Sequence, residues 1–357
     1  MANPESPEPA AIAQELVKRV IGQREAIREM SIALSKKLAG LPVGNLLMIG
    51  SSGTGKTTLM RAVEAYLEER PNLALRSTVV RMHANVLGEE AQKGRPGEAV
   101  LSRLLERARD QLGPQASLEE LIEQARRGIV FVDEVDKIRS HVGGKPNTTG
   151  IKAQEALLTV MENESVPFVL PRWAGGELIN VDSRHLLFIC AGAFEGLYDS
   201  VYDRVTIGRD RGALKPKTTV EDGVVIEKLV FHLREWLKNE DLFEYGMSPQ
   251  FLARFDAVVL LTDLTVEELM HIFVKIPDSS YHQARAYFAS RGFKLAMTRE
   301  AVHRIAQEAA LEQRLGARAL KEVFRRVVRD YEFDPGAVAR EGAVHIGVPQ
   351  VETALKR

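Results

Sequence analysis

Asn45-Leu-Leu-Met-Ile-Gly-Ser-Ser-Gly-Thr-Gly-Lys-Thr57 decides the fold class of this chain. Asn45 to Ile49 is an aliphatic run without alternation, the pattern of a strand buried on both faces. Gly50 to Thr57 then fits GxxxxGK[ST], a loop whose glycines let backbone N–H groups wrap phosphates. In that pattern Ser52, Gly53, Thr54 and Gly55 form the cradle, Lys56 reaches the outer phosphates and Thr57 ligates Mg²⁺. Thr58 follows in a helix whose N-terminus favours anions, its apolar spacing running from Lys56 to Glu69 and stopping before Pro71. Strand, loop and helix in this order are the context the motif requires; without it the same letters describe a flexible Gly/Ser turn.

Farther along, Ile129-Val-Phe-Val-Asp-Glu134 is a second apolar run, and it ends in two carboxylates. Ligands of parallel α/β sheets bind at the carboxyl ends of the strands. Asp133 is thereby placed to hold the Mg²⁺ shell, and Glu134 to polarise the water that attacks the γ-phosphate. Alone, the segment reads equally well as a strand ending in a solvated acidic turn; the upstream loop favours the catalytic reading.

Further short strands are expected at 78–82, 186–190 and 258–261, separated by helices near 98–111, 117–127 and 151–163. That alternation predicts an α/β fold, a parallel sheet flanked by helices. From Thr265 the sequence turns helix-rich, with helices expected at 265–274, 279–290, 299–312 and 318–331 and strands at 294–297 and 344–346. The expected division is an N-terminal tail over 1–19, a large α/β domain over 20–263 and a smaller helix-rich domain over 264–357. Residues 2–10, with prolines at 4, 7 and 9, read as disordered, and a helix is expected over 23–39.

Composition narrows the remaining classes. The 48 basic residues against 49 acidic ones leave a formal charge of −1, which offers no global attraction to nucleic acid or anionic membrane. Cys190 is the only cysteine, which excludes an intrachain disulfide and a multi-cysteine zinc module. The first residues lack the basic and apolar regions of a signal peptide. The longest apolar runs, such as Leu186 to Phe194, fall short of the ~18 residues of a spanning helix. Cytoplasmic residence without a membrane partner is the expectation.

Seven ordered segments carry a family resemblance: VIGQ at Val20–Gln23, GSSGTGKTTL, RRGIVFVDEVDKI, QEALLTVMEN, VDSRHLLFICAGAF, YGMSPQFLARFD and LGARALKEV. The chain from about Val20 to beyond Asp330 resembles the ClpX family of AAA+ ATPases, ATP-driven protein unfoldases. The resemblance implies the AAA+ P-loop NTPase fold, the cofactors ATP and Mg²⁺, and a homo-hexameric ring acting on a protein partner. It implies that Val20 and Ile21 line the adenine pocket, although their residue type alone equally describes core packing. Arg318 is similar to the family's second sensor, a guanidinium that grips phosphate from the small domain, and reads otherwise as a surface arginine at a helix start. Arg254 is similar to the arginine finger donated to a neighbour's ATP, and reads otherwise as a surface ion-pair partner. The strand segment Cys190-Ala-Gly-Ala193 offers no sensing side chain.

Several positions depart from the family's pattern. Its N-terminal domain with four zinc-binding cysteines has no counterpart, so adaptor docking through it is expected to be absent. Its pore loop carries a tyrosine between glycines; here the aligned stretch is Gly94-Arg-Pro-Gly97, and no Phe, Trp or Tyr occurs between Tyr66 and Phe131. Arg95 reads either as a grip for acidic or aromatic segments or as part of a turn. The family's peptidase-docking Ile-Gly-Phe is echoed only by Ile207-Gly208-Arg209, with no Phe from Val205 to Val224. An arginine in an apolar cleft is costly unless paired, so coupling to a ClpP-type peptidase is not expected. Arg204, Arg209, Arg211, Lys215 and Lys217 form a basic run, read as a solvated loop or as a contact for an acidic partner or nucleic acid. Pro171-Arg-Trp-Ala174 stands where the family has a basic Arg-His loop, and Trp173 and Trp236 read as packing.

The leading expectation is therefore a ring-forming ATPase that remodels or unfolds a protein. The alternatives are a nucleotide-switched scaffold that does not thread polypeptide and, on the basic run alone, a nucleic-acid remodeller.

Overall fold

The computed structural model describes residues 6–74, 77–92, 97–162, 165–210, 217–221, 224–228, 231–312 and 315–356. They form two compact units, one from 36–49 and 70–260, the other from 6–35, 50–69 and 261–356.

The first unit is built on a five-stranded sheet: β1 (Asn45–Ile49), β2 (Val79–His83), β3 (Ile129–Asp133), β4 (Leu187–Gly192) and β5 (Phe255–Leu260). Its order is β5-β1-β4-β3-β2, and every neighbouring pair is parallel. The expected α/β fold, a parallel sheet flanked by helices, is thus present. β3 is buried from Ile129 to Val132 and β4 along its whole length, which is why their sequences run aliphatic without alternation. Leu47, Val130, Val132, Phe188 and Cys190 meet in the core with Leu104 and Leu105 of the Glu98–Leu112 helix and Leu157 of the Thr148–Glu162 helix. Each such side chain, fully withdrawn from water, stabilises the fold by about 1.5–3 kcal/mol. Burial also raises the Cys190 thiol well above the ordinary range, so it packs as an apolar group.

β5 begins at Phe255, three residues before the expected strand, because an irregularity between Asn45 and Leu46 lets the pairing extend backwards. The Asn45 side chain covers that irregularity. Its Nδ2 donates to Arg254 O at 3.0 Å, and its Oδ1 accepts from Phe188 N at 2.9 Å.

The second unit packs the helices Val266–Lys275, Ser280–Ser290, Arg299–Leu311 and Ala317–Phe333 around Leu269, Phe273, Phe288, Ile305 and Phe324. The parallel strand pair Lys294–Met297 and Ala343–Ile346 covers one side of this core. Helix starts are capped as the sequence pattern requires. Thr265 and Glu268 form a reciprocal capping box, and Ser279 and Thr298 each accept from the third residue of their helix.

Within the stretch expected as a tail, Pro9–Leu16 is a helix, with Ile12 and Leu16 fully buried. Pro9 sits at its first position, where a missing N–H costs nothing, so proline recurrence did not signal disorder there. Ala84–Gln92 and Leu197–Thr206 are also helices without an expected counterpart. Segments that short are marginal alone and depend on burying Ala84 and Leu87, or Leu197, Val201 and Val205.

Candidate functional site

The phosphate loop belongs to the second unit. Gly53 and Gly55 have φ of 76° and 104°, the left-handed region that favours glycine. A Cβ at Gly53 would stand 2.1 Å from Leu315 O, whereas the space beside Gly55 is open. Lys56 opens the Lys56–Glu68 helix, is buried, and donates from Nζ to Gly50 O at 2.5 Å and Ser51 O at 2.8 Å. Its ammonium therefore already bonds loop carbonyls, which a phosphate oxygen would replace with a charge-assisted bond. Thr57 lies half-buried in the first turn of the helix, beside the exposed Thr58. The loop is braced by Thr54 Oγ1 on Ser51 O at 2.9 Å and by Ser51 Oγ on Asp263 Oδ1 at 2.9 Å.

Beside this loop lies a pocket lined by the apolar Val20, Ile21, Leu264, Ile272 and Ile276 together with Gly53, Thr54, Gly55 and Thr58. Apolar side chains beside a glycine-rich backbone suit a flat base joined to phosphates. Arg19 stands at the pocket too and forms an ion pair with Glu69. Arg318 reaches the loop itself: its Nη1 donates to Ser52 Oγ at 2.5 Å, and Ala317 N donates to Gly53 O at 3.1 Å. The structure thus brings Val20, Ile21, Ser52, Gly53, Thr54, Gly55, Lys56, Thr58 and Arg318 into one constellation within the second unit.

Asp133 and Glu134 end β3 in the first unit. Asp133 Oδ1 accepts from Glu134 N at 2.9 Å, and Glu134 takes the left-handed conformation, φ 61°, which turns its side chain out of the strand register. Lys137 Nζ lies 2.9 Å from Glu134 Oε2, and His83 Nδ1, at the end of β2, lies 3.6 Å from it. The hydrogen bond to Glu134 is the chief cause of a raised Lys137 pKa. Asp136, which the sequence reading passed over, is buried and accepts from Ala193 N at 3.1 Å. Its carboxylate fixes the end of β4, where the sequence offers no polar side chain.

Arg254 is half-exposed and forms an ion pair with Glu162, at the end of the Thr148–Glu162 helix. It immediately precedes β5, and the sheet register sets it level with Ile129, the first residue of β3. Four residues along the strands at ~3.3 Å each, and three inter-strand spacings of ~4.8 Å, separate it from Asp133 by roughly 20 Å.

Of the basic run, Arg204 is partly buried, pairs with Asp241 and Asp210 and donates to Trp236 O at 2.5 Å, while Arg209 pairs Glu244 at 2.6 Å. Arg204 is thereby withdrawn from the surface, whereas Arg209 stays exposed beside its acidic partner. Arg211, Lys215, the Lys217 side chain, Gly94, Arg95 and Pro96 lie outside the described residues. Trp173 packs beneath the Arg109 guanidinium, 4.3 Å from the ring centre.

Two glutamines went unassigned in the sequence. Gln23 bonds Thr54 and Thr262, and Gln154 bonds Ile138 O, Gly246 O and Ser248 N. Their only sequence signal is the glutamine itself in the segments VIGQ and QEALL.

Comparison with known proteins agrees with this architecture. The family described as "AAA domain (Cdc48 subfamily)" matches residues 41–258. Similar proteins include the ATP-dependent Clp protease ATP-binding subunit ClpX 3 of Methylococcus capsulatus, 32% identical over 92% of this chain and 76% of that protein. The ATP-dependent Clp protease ATP-binding subunit ClpX of Porphyromonas gingivalis is 30% identical over 92% of this chain and 77% of its own length, and that of Treponema denticola 27% over 93% and 78%. The chain belongs to the AAA+ ATPases, within their ClpX group. It is an ATPase, and the resemblance read from its seven segments is borne out.

Proposed function

We propose that this chain hydrolyses Mg-ATP in a homo-hexameric ring and uses the cycle to remodel or unfold a protein partner. The observation that carries the ring is the position of Arg254, roughly 20 Å from Asp133 within one chain by strand spacing. That separation favours a finger that serves a neighbouring subunit's nucleotide over its own. Val20 and Ile21 hold the base, and Ser52, Gly53, Thr54, Gly55, Lys56 and Thr58 hold the phosphates. Glu134 takes the proton of the attacking water, and Arg318 reports the nucleotide from the small domain. Arg254 offsets charge developing in the transition state of its neighbour.

Thr57 and Asp133 would hold Mg²⁺, which when bound neutralises charge on the phosphate oxygens. One hydroxyl and one carboxylate fit an ion that keeps waters and takes its other ligands from substrate phosphates. Among the described residues no group of three or more His, Cys, Asp or Glu is gathered as a dedicated metal cage.

ClpP-type coupling is not part of the proposed activity, because Arg209 stands where the docking phenylalanine is expected and is paired with Glu244. Among the described residues no helix is long and apolar enough to cross a membrane, and a cytoplasmic site of action without nucleic acid is proposed with it. A second reading, the nucleotide-switched scaffold, rests on the missing aromatic residue between Tyr66 and Phe131.

Steady-state ATP turnover per subunit, measured across protein concentration, tests the ring. A cooperative rise is expected as subunits assemble. A constant rate per subunit would overturn the trans finger. Binding without turnover at any concentration, with or without unfolded protein, would favour the scaffold.

A further inference from the structure

Gln23 is buried, with its side chain wholly used by backbone groups distant in sequence. Its Nε2 donates to Thr54 O at 2.9 Å and to Thr262 O at 2.7 Å, and its Oε1 accepts from Thr262 N at 3.0 Å. The amide thus meets both polar groups of Thr262 as a backbone partner would, and with its remaining donor takes the phosphate loop. Its φ of 55° is a conformation that residues bearing a Cβ rarely adopt, and it aims the side chain at both partners from the start of the Arg24–Leu38 helix.

All three bonded segments supply the walls of the base pocket. Ile21 lies two residues before Gln23, Thr54 is itself a wall, and Leu264 lies two residues after Thr262. Gln23 is not among the residues that line the pocket. We propose that Gln23 is the positioning residue that sets the apolar base pocket in register with the phosphate loop, so that one nucleotide fills both at once. This rests on the nucleotide reading of the pocket and deepens it: the carboxamide decides how much the base adds to the affinity of the phosphates.

Removing the amide leaves three backbone groups without their partner and frees the pocket walls to move apart. Phosphate capture by the loop alone does not need that register. A residue that only stabilises the fold would weaken base-bearing and base-free ligands alike.

The test is calorimetric titration of the full chain with ADP and with inorganic pyrophosphate, both with Mg²⁺, for the unmodified protein and Gln23→Leu. Gln23→Leu is expected to raise the ADP Kd about tenfold and to leave the pyrophosphate Kd within about twofold. KM for ATP should rise in parallel with kcat little changed. Equal weakening of both ligands, or ADP affinity held within about twofold, would overturn the proposal. If Gln23→Leu loses its cooperative melt, Gln23→Asn, which keeps the amide but shortens its reach, carries the same comparison. An unmodified chain that binds neither ligand would overturn the nucleotide reading itself, an outcome distinct from a failure of Gln23.

Discussion

Arg318 hydrogen-bonds the hydroxyl of Ser52, 266 positions earlier in the chain, at 2.5 Å. One residue before it, Ala317 N donates to Gly53 O, so a backbone donor at the start of the Ala317–Phe333 helix is satisfied by the phosphate loop. Loop and helix start share hydrogen-bonding groups, and a nucleotide at the loop must act on both. Replacing Arg318 with Ala is expected to weaken ATP binding about tenfold, since it removes a charge-assisted contact. Equilibrium binding to the full chain measures it.

Gly53 admits that contact only because it lacks a Cβ. Gly53→Ala would set a methyl 2.1 Å from Leu315 O at a φ of 76°, which side chains rarely adopt. A loss of about 1–3 kcal/mol in stability is expected, together with loss of nucleotide affinity. Gly55→Ala has a φ of 104° to accommodate but open space beside it, so it should disturb the helix contact less. Thermal melts of the two variants separate strain from collision.

Glu134→Gln keeps the size of the side chain and removes the base. Turnover should fall by about 10²- to 10⁴-fold while ATP affinity is retained. Single-turnover hydrolysis together with nucleotide binding reads both quantities. An unchanged rate would remove Glu134 from its assigned role.

Arg254→Ala and Glu134→Gln should each be inactive, yet mixing them should restore turnover. In a mixed ring, an Arg254→Ala subunit keeps its own Glu134 and receives the finger of its Glu134→Gln neighbour. Recovery of activity on mixing measures action in trans, and none is expected if Arg254 does no more than pair with Glu162.

Lys37 gives a pH signature in the first unit. It donates to His185 O, and burial, aided by the charge of Arg127, lowers its pKa from 10.5 to about 7. Between those values the unfolded chain holds a proton that the folded chain has released, so stability rises with pH from about 7 towards 10.5, with no slope from this group below 7. The slope is at most about 1.4 kcal/mol per pH unit. Lys37→Met should abolish it. Urea unfolding at pH 7.5 and 9.5, followed by the fluorescence of Trp173 and Trp236, reports it, because both tryptophans lie in that unit.

Gln154→Leu should destabilise the same unit by about 1–3 kcal/mol, because it leaves buried backbone groups unpaired. Those groups are Ile138 O at 2.7 Å, Gly246 O at 3.0 Å and Ser248 N at 2.8 Å, which link the turn after Glu134 to the segment leading to Arg254. A larger loss in turnover than in stability would show that the link also serves catalysis.

The chain by itself determined whatever depends on neighbours along it. The unalternating run of Ile129–Val132 announced a buried strand, and the apolar spacing over 265–274, 279–290 and 299–312 announced helices that the structure reproduces. Strand periodicity, turn conformation and capping act over a few residues, so they are written locally. Tertiary structure alone decided that Gln23 meets Thr262 across 239 residues, that Asp136 fixes Ala193, and that Arg204 pairs with both Asp210 and Asp241. It also made Pro9–Leu16 a helix, since eight residues without a packed face do not hold that form in water. Such pairings depend on where the packed core brings distant segments together, and no local pattern of side chains records that distance.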